Sequence, residues 1–450
     1  MEHTSYPRNL GYSVSALQGY SRDTFKLEST GTTTASGGQG RVITFNLPEN
    51  SLIDLKSFRF IVNSCVGDYA AGNGGSIPEM RVVIPFSQAL ISRLEVNLNG
   101  VQICQGFPEY GTAYRLLRNA RTPTSKSTSI DNAVENGIMD TTPASVYANG
   151  ETIGLAITSW LGFMEAPSTR FVHTGLLGQI SIKMTLADNW VMSPIAENIN
   201  QLAGAALATA QTLGYTLSNF YATIDSISIN DGMYDSLLRS KLQRDGFLQI
   251  NYDEYYSFSQ EGLTGNSATI RYSLASQSIN KIYTTLRASS YTTRGNAPDV
   301  LTSANDIGSI QPAFCKFQSF ATDYPPVNFK WNYNINGTMH PQYLASEMDA
   351  LCSLAHTENK VFMDSPGNQI FSFLDFRASK FCAAIRLNHP IDGETRNCYV
   401  SGIDSRGLNS ALTFTCSGMS LPAGGATIYS LVNTTSSIRV GPGRQIEVIQ

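Results

Sequence analysis

The chain has 450 residues, 42% of them hydrophobic and only 15% charged, with 31 basic against 35 acidic side chains and a formal net charge of −4. This is enough apolar material for a sizeable core, which excludes disorder as a description of the whole chain, and the length allows two or three domains. Charge well below the average of about 25%, with a slight acidic excess, excludes a general nucleic-acid binder, which needs a basic surface.

Residues 1–40 are polar and end in TGTTTASGGQG; they read as an arm that packs against something else or stays mobile. No apolar stretch of a secretory signal is visible at the start. From residue 41 a two-residue period dominates, the mark of strands with one buried face. Ile43, Phe45 and Leu47 alternate with polar residues, as do Leu94, Val96 and Leu98, and Ile180, Ile182, Met184 and Leu186. Four helices are expected: at Tyr110–Leu117, in an Ala-rich run near 196–213, over 231–244, and along a stripe of Leu344, Met348, Leu351 and Ala355. The Ala-rich run is too short and too interrupted for the ~20 apolar residues of a membrane span. The alternation returns in the second half at Ile270/Tyr272/Leu274, Phe329/Trp331/Tyr333/Ile335 and Leu412/Phe414/Cys416, and the chain closes on Ile438/Val440 and Ile446/Val448.

A weak internal repeat organises these elements. LEVNLNGVQICQGFPEYGTAYRLLRNAR is matched by FKWNYNINGTMHPQYLASEMDALCSLAH. Each copy has an alternating strand, then Asn-Gly (Asn99-Gly100 and Asn336-Gly337), which supplies the positive φ angles of a tight hairpin turn. Each then has Pro-x-Tyr (Pro108 and Pro341), with Pro placed to start a helix, and one amphipathic helix. The pattern predicts an all-β protein: two tandem eight-stranded antiparallel jelly-roll sandwiches with a few short helices in the connections. The boundaries are an arm over 1–40, a first roll over 41–220 and a second over 221–450.

Catalytic signatures are missing. There is no phosphate-cradling loop, no His-Glu-x-x-His and no Gly-x-Ser-x-Gly; the Gly-rich pieces read as turns. Seven widely spaced cysteines without Cys-x-x-Cys argue against a disulfide scaffold or zinc ribbon. Cys352 and His356 share one helical face but lack the further ligands of a metal or nucleophile site. Asp253 and Glu254 are adjacent in a strand and so face opposite ways. Asp140, Asp225, Asp323 and Asp375 have no special claim as an acid/base pair. Tyr252, Tyr255, Tyr256 and Phe258 read as core or subunit interface before they read as a sugar platform. Asn336 and Asn433 match glycosylation acceptors, a match of little weight without a secretory signal. No catalytic, cofactor-binding or metal residue is assigned; the residues singled out are the repeat's turns, Asn99, Gly100, Pro108, Asn336, Gly337 and Pro341.

The repeated unit resembles the double jelly-roll major capsid proteins of tailless double-stranded DNA viruses, the lineage of virophages, polinton-like viruses and algal large DNA viruses. RVITFNLPENSLIDLKSFRFIVNS looks like the opening strand pair of the first roll, PFSQALISRLEVNLNGVQI like its central strand and turn, and NFKWNYNINGTMHPQYL like the matching segment of the second. The resemblance implies a non-enzymatic shell protein of the virion, made and assembled inside the infected cell. Three chains would give six rolls in a pseudo-hexagonal capsomer, tiling an icosahedral shell. Implied partners are the chain itself, neighbouring capsomers, penton and minor capsid proteins and, through the N-terminal arm, an internal membrane; specific nucleic-acid binding is not implied. The alternatives are a β-sandwich carbohydrate-binding or carbohydrate-active protein, with paired carboxylates in an aromatic cleft, and a fibre or spike protein.

Overall fold

Alternating burial along the strands builds the sheets. In the computed structural model, which describes residues 20–37, 41–70, 80–83, 86–104, 109–121, 146–148, 152–166, 169–188, 191, 193–196, 211–229, 232–288, 317–323, 327–358, 373–388, 402–407, 411–422, 424–441 and 445–449, Val42–Asn46 and Ile180–Leu186 bury every second residue. Ser267–Ser273 and Lys330–Ile335 do the same in the second half. Such a strand has one face for a core and one for solvent or a neighbour.

The first roll uses β1 (Tyr20–Leu27), β2 (Val42–Asn46), β3 (Leu52–Ala70), β4 (Ile91–Leu98), β5 (Val101–Cys104), β6 (Thr152–Ile157), β7 (Ile180–Leu186) and β8 (Gln211–Ile229). One antiparallel sheet runs β1-β8-β3 with β6 on the far side of β3. The other runs β2-β7-β4-β5. The second roll uses β9 (Leu248–Leu263), β10 (Ser267–Ser273), β11 (Ile279–Ala288), β12 (Lys330–Ile335), β13 (Thr338–Ala345), β14 (Ala383–Arg386), β15 (Ala411–Ser417) and β16 (Ala426–Val440). Its sheets run β9-β16-β11-β14 and β10-β15-β12-β13. The second order is the first with eight added to every label, so the repeat is one of complete folding topology. Six shorter strands, such as Phe171–His173 on β3, lengthen the sheets or form a small separate one.

Each pair of sheets closes on aromatic side chains. Phe45 on β2 meets Phe58 and Phe60 on β3 with ring centroids 6.3 and 5.7 Å apart. In the second roll Trp331, Tyr333 and Phe414 pack together, and the Tyr333 hydroxyl crosses the sandwich to donate to the Ala383 carbonyl at 2.8 Å. Each such ring contributes roughly 1.5–3 kcal/mol by leaving water, and the buried hydroxyl finds an acceptor, as it must.

Two boundaries differ from the sequence expectation. Residues 20–36, placed in an arm by their polarity, hold β1 and the short strand Thr34–Ser36, both paired to β8. β1 escapes recognition because it is an edge strand exposed on both faces, held by Asp225 of β8. That carboxylate accepts from Arg22 Nε at 3.0 Å and from Thr24 Oγ1 at 2.7 Å. RVITFNLPENSLIDLKSFRFIVNS is thus the second and third strands of the first roll. A division at residue 220 would cut β8, which stays bonded to β1 through Ile229; we place the join at helix α2 (Gly232–Asp245), one of the expected helices.

The other helices longer than four residues, among the described residues, are α1 (Tyr110–Arg121), α3 (Glu347–Thr357) and α4 (Phe373–Ser379). Of the Ala-rich run near 196–213 expected to be helical, residues 196 and 211–213 are strand, and 197–210 lie outside the described residues. The expected stripe on α3 is also corrected. Leu344 belongs to β13, Leu344 and Met348 are exposed, and the buried side of the helix is Glu347, Ala350, Leu354 and Ala355. Among the described residues no helix is long and apolar enough to cross a membrane.

Candidate functional site at the seam between the rolls

The two Asn-Gly turns are built alike. Asn99 and Gly100 have φ of 47° and 83°, and Asn336 and Gly337 have 51° and 85°. Both central residues are left-handed, the type I′ geometry that matches strand twist. Pro108 lies outside the described residues. Pro341 does not start a helix: it sits inside β13, after a cis peptide bond from His340. Helix α3 begins five residues later at a capping box, where Ser346 Oγ accepts from Asp349 N and Asp349 Oδ2 accepts from Ser346 N at 2.8 Å. The Ser-x-x-Asp signal was legible; the more conspicuous proline masked it.

The expected carboxylates are dispersed. Asp225 anchors β1, and Asp323 accepts the backbone N–H groups of Val327 and Asn328 at 2.9 and 3.0 Å. Glu254 is buried and accepts from Ser436 Oγ at 2.6 Å. Asp140 and the side chain of Asp375 lie outside the described residues. Cys352 and His356 are both exposed on α3, and among the described residues no three His, Cys, Asp or Glu side chains gather into a metal-ligand group. Asn433 is buried in β16, whereas Asn336 is exposed at its turn. Tyr252 and Tyr255 are buried, and Tyr256 and Phe258 pack on the core.

Charge concentrates instead where the rolls meet. Arg121, the last residue of α1, donates to Glu358 Oε2 at 3.2 Å, to Glu165 Oε1 at 3.3 Å and to the Tyr255 hydroxyl at 3.0 Å. Glu358, just past α3, also takes Lys281 Nζ at 3.4 Å and the Tyr283 hydroxyl on Oε1. Nearby, Arg287 on β11 is 1% exposed and donates to Thr112 Oγ1 at 3.1 Å and Glu109 Oε2 at 2.7 Å. The Tyr252 hydroxyl donates to the Ile103 carbonyl at 2.7 Å, and its ring stands edge-on to Phe163 at 5.3 Å.

Burial alone would raise the Glu358 carboxyl, but the Arg121 and Lys281 charges and the Tyr283 hydrogen bond bring it down to about 2. Burial raises Asp253, against the pull of Arg121. Burial lowers Lys281, against the pull of Glu358. Glu358 is therefore a fixed anion with both oxygens engaged. A general base needs a pKa near working pH and a free lone pair for the incoming proton. The arrangement is that of a structural ion cluster locking one roll to the other.

Sequence reasoning missed Arg121, Glu165, Lys281 and Glu358. They are isolated charges far apart in the chain, and only the fold brings them together. The one available signal is arithmetic: Arg121 and Glu358 are 237 residues apart, the spacing from Asn99 to Asn336.

No known protein family matches the sequence, and no curated protein is similar to it. Solved structures do match. PBCV-1 VP54, in a crystal structure fitted into a cryo-EM reconstruction of the virophage Sputnik, gives a TM-score of 0.60 at 10% identity, over 96% of this chain and 97% of that one. The Faustovirus major capsid protein gives 0.53 at 9% identity, over 93% and 90%. A chain of the Sputnik virophage structure gives 0.51 at 12% identity, over 96% and 88%. At such identities the likeness is one of fold, carried across both halves: this chain has the double jelly-roll fold of these viral capsid proteins.

Proposed function

We propose that the chain is the major capsid protein of a tailless double-stranded DNA virus, a structural protein without catalytic activity that assembles as a homotrimeric, pseudo-hexagonal capsomer and tiles an icosahedral shell. The observation that carries this reading is the complete repetition of one eight-stranded topology, with the two copies clamped by the part-buried Arg121–Glu358 and Arg287–Glu109 pairs. Two similar units held at a fixed angle suit a shell block. Low charge and abundant Tyr and Phe suit large protein–protein surfaces. In this reading the partners are further copies of the chain, penton proteins and minor capsid proteins. Contact with an internal membrane falls to residues ahead of β1, and the protein resides in the virion after assembly in the infected cell.

The test is the native mass of the purified chain, followed by negative-stain microscopy of the same peak. Three copies of 48.9 kDa weigh about 147 kDa. A particle of that mass with a hexagonal outline is expected; a compact monomer or dimer overturns the reading.

A further inference from the structure

Asn433 matches a glycosylation acceptor, yet it is only 5% exposed and lies inside the seam, out of reach of a glycosyltransferase. Its neighbours offer it a different chemistry. In the register of the β9-β16-β11-β14 sheet, Asn433 on β16 stands between Tyr255 on β9 and Lys281 on β11. Residues directly opposite in an antiparallel ladder share a face, with Cβ atoms about 5 Å apart, a gap that the flexible four-carbon lysine stem can span. Asp253 lies on the same outer face, two residues from Tyr255 and opposite Thr435, and its carboxyl hydrogen-bonds the Asn433 side chain. An amine, a primary amide and a carboxyl thus meet under the cover of Arg121 and Glu358, which hold Tyr255 and Lys281 on either side.

The first roll supplies an internal contrast. Its equivalent positions are Lys26, Thr223 and Arg59, with Thr24 in the place of Asp253. The ladder is the same, but the central threonine has no acyl carbon to attack, and the guanidinium that replaces Lys281 stays protonated. The three groups come together in the second roll alone.

Burial pushes these groups in the direction that acyl transfer needs. It holds Lys281 below its ordinary pKa, against the pull of Glu358, and Asp253 above its own. Both shifts favour the neutral forms. A desolvated lysine amine is a nucleophile, and a neutral carboxyl beside an amide oxygen donates to it where negative charge develops.

We propose that the folded chain links itself through an isopeptide bond between Lys281 Nζ and Asn433 Cγ, with Asp253 carrying the proton. The neutral amine attacks Cγ while the Asp253 carboxyl protonates the carbonyl oxygen. The tetrahedral carbon then collapses: the Cγ–Nδ2 bond breaks, a proton from Nζ passes by way of Asp253 to Nδ2, and that nitrogen leaves as ammonia. Overall an ammonium and a primary amide become a secondary amide and an ammonium ion, with no oxidant or cofactor. The reaction runs once per chain and needs no second copy. The Lys281–Glu358 ion pair described above belongs to the chain before linkage; afterwards Arg121 and Tyr283 remain on Glu358. The bond closes the loop from 281 to 433, and a cross-link over so long a loop stabilises mainly by restricting the unfolded chain.

The test is the intact mass and a tryptic map of the purified full-length chain, held folded at neutral pH, beside the Lys281→Met and Asp253→Asn variants. Wild type is expected to be lighter than its sequence by one ammonia, with the peptides holding Lys281 and Asn433 recovered as one branched species. On a reducing denaturing gel it should run ahead of both variants, which keep their full mass. Asp253→Asn retains a hydrogen-bonding group of the same size, so it folds, and it is expected to melt several degrees below wild type. A wild-type chain of full mass with a linear Lys281 peptide overturns the proposal. Loss of ammonia with a linear Lys281 peptide also overturns it, since that is ring closure at an Asn-Gly turn. A bond that forms as fully in Asp253→Asn overturns the role given to Asp253.

Discussion

Arg121 and Glu358 close the C-terminal ends of equivalent helices in the two rolls and meet each other at 3.2 Å. The same structural position is occupied in one roll by a cation and in the other by an anion. The unlike charges at these two positions let the rolls pair there.

Arg121→Ala leaves Glu358, 6% exposed, with Lys281 as its remaining cation. Because Arg121 is 30% exposed and Lys281 stays on Glu358, the loss is about 1–2 kcal/mol, and urea unfolding should show it as a lower midpoint. Arg121→Lys should recover only part of the loss, because one ammonium cannot reproduce a fork that serves Glu358, Glu165 and Tyr255 together.

The seam also sets the response to acid. Glu358 titrates at about 2 in the folded chain, below its ordinary 4.5. A depressed carboxylate contributes stability that is present above the unfolded pKa and is lost as pH falls through the folded one. Over that window the loss amounts to roughly 3 kcal/mol. Asp253, raised by burial, acts with the opposite sign: its protonation on mild acidification favours the folded state. The melting temperature is therefore expected to rise slightly from neutral to mildly acid pH and then fall steeply below pH 4. In Glu358→Gln the steep limb should be shallower. An unchanged acid limb in that variant would remove the seam from the account.

Two left-handed glycines separate backbone strain from crowding. At Gly337, φ +85°, an added Cβ meets nothing within 4 Å, so Gly337→Ala should cost only the conformational penalty, about 1 kcal/mol. At Gly418, φ +76°, the Cβ would stand 2.0 Å from the Asn328 carbonyl oxygen. Gly418→Ala must displace a backbone segment beside β12 and is expected to prevent the second roll from folding, read as loss of soluble protein.

Asp225 adds a side-chain anchor to an edge strand whose other tie is its backbone ladder with β8. Asp225→Ala removes the acceptor for Arg22 and Thr24. With Arg22 half exposed, the loss is about 1–2 kcal/mol. Hydrogen exchange should show it locally: the amides of residues 20–27 lose protection while those of β4 and β7 keep theirs.

The sequence was most legible where burial follows a simple period. β2, β4, β7, β10, β12 and β15 all alternate because each has one face in a core, and the Asn-Gly turns were legible because few residues tolerate two left-handed positions in succession. β1 was not, since an edge strand exposed on both faces has no hydrophobic period. The outer sides of β11 and β16 were obscured for the opposite reason: buried on both faces, they read as continuous runs. α3 was recognised as a helix with the wrong side inward, because Leu344 and Met348 look like core when a surface patch has the same composition. The ion cluster needs four residues from distant parts of the chain, so only the repeat spacing pointed to it.

The pairing of β1 with β8 has a consequence for synthesis. Arg22 and Asp225 are 203 residues apart, so the first and last strands of the first roll enclose everything between them. On the ribosome the first roll cannot complete its sheet until Ile229 has emerged, and by then the second roll's strands are still to come. Each roll then folds as a unit in order of appearance, with slow closure imposed by its non-local pairing. The seam cannot form before Glu358 has emerged. Until then Arg121 has Glu165 of its own roll as its carboxylate partner and lacks Glu358.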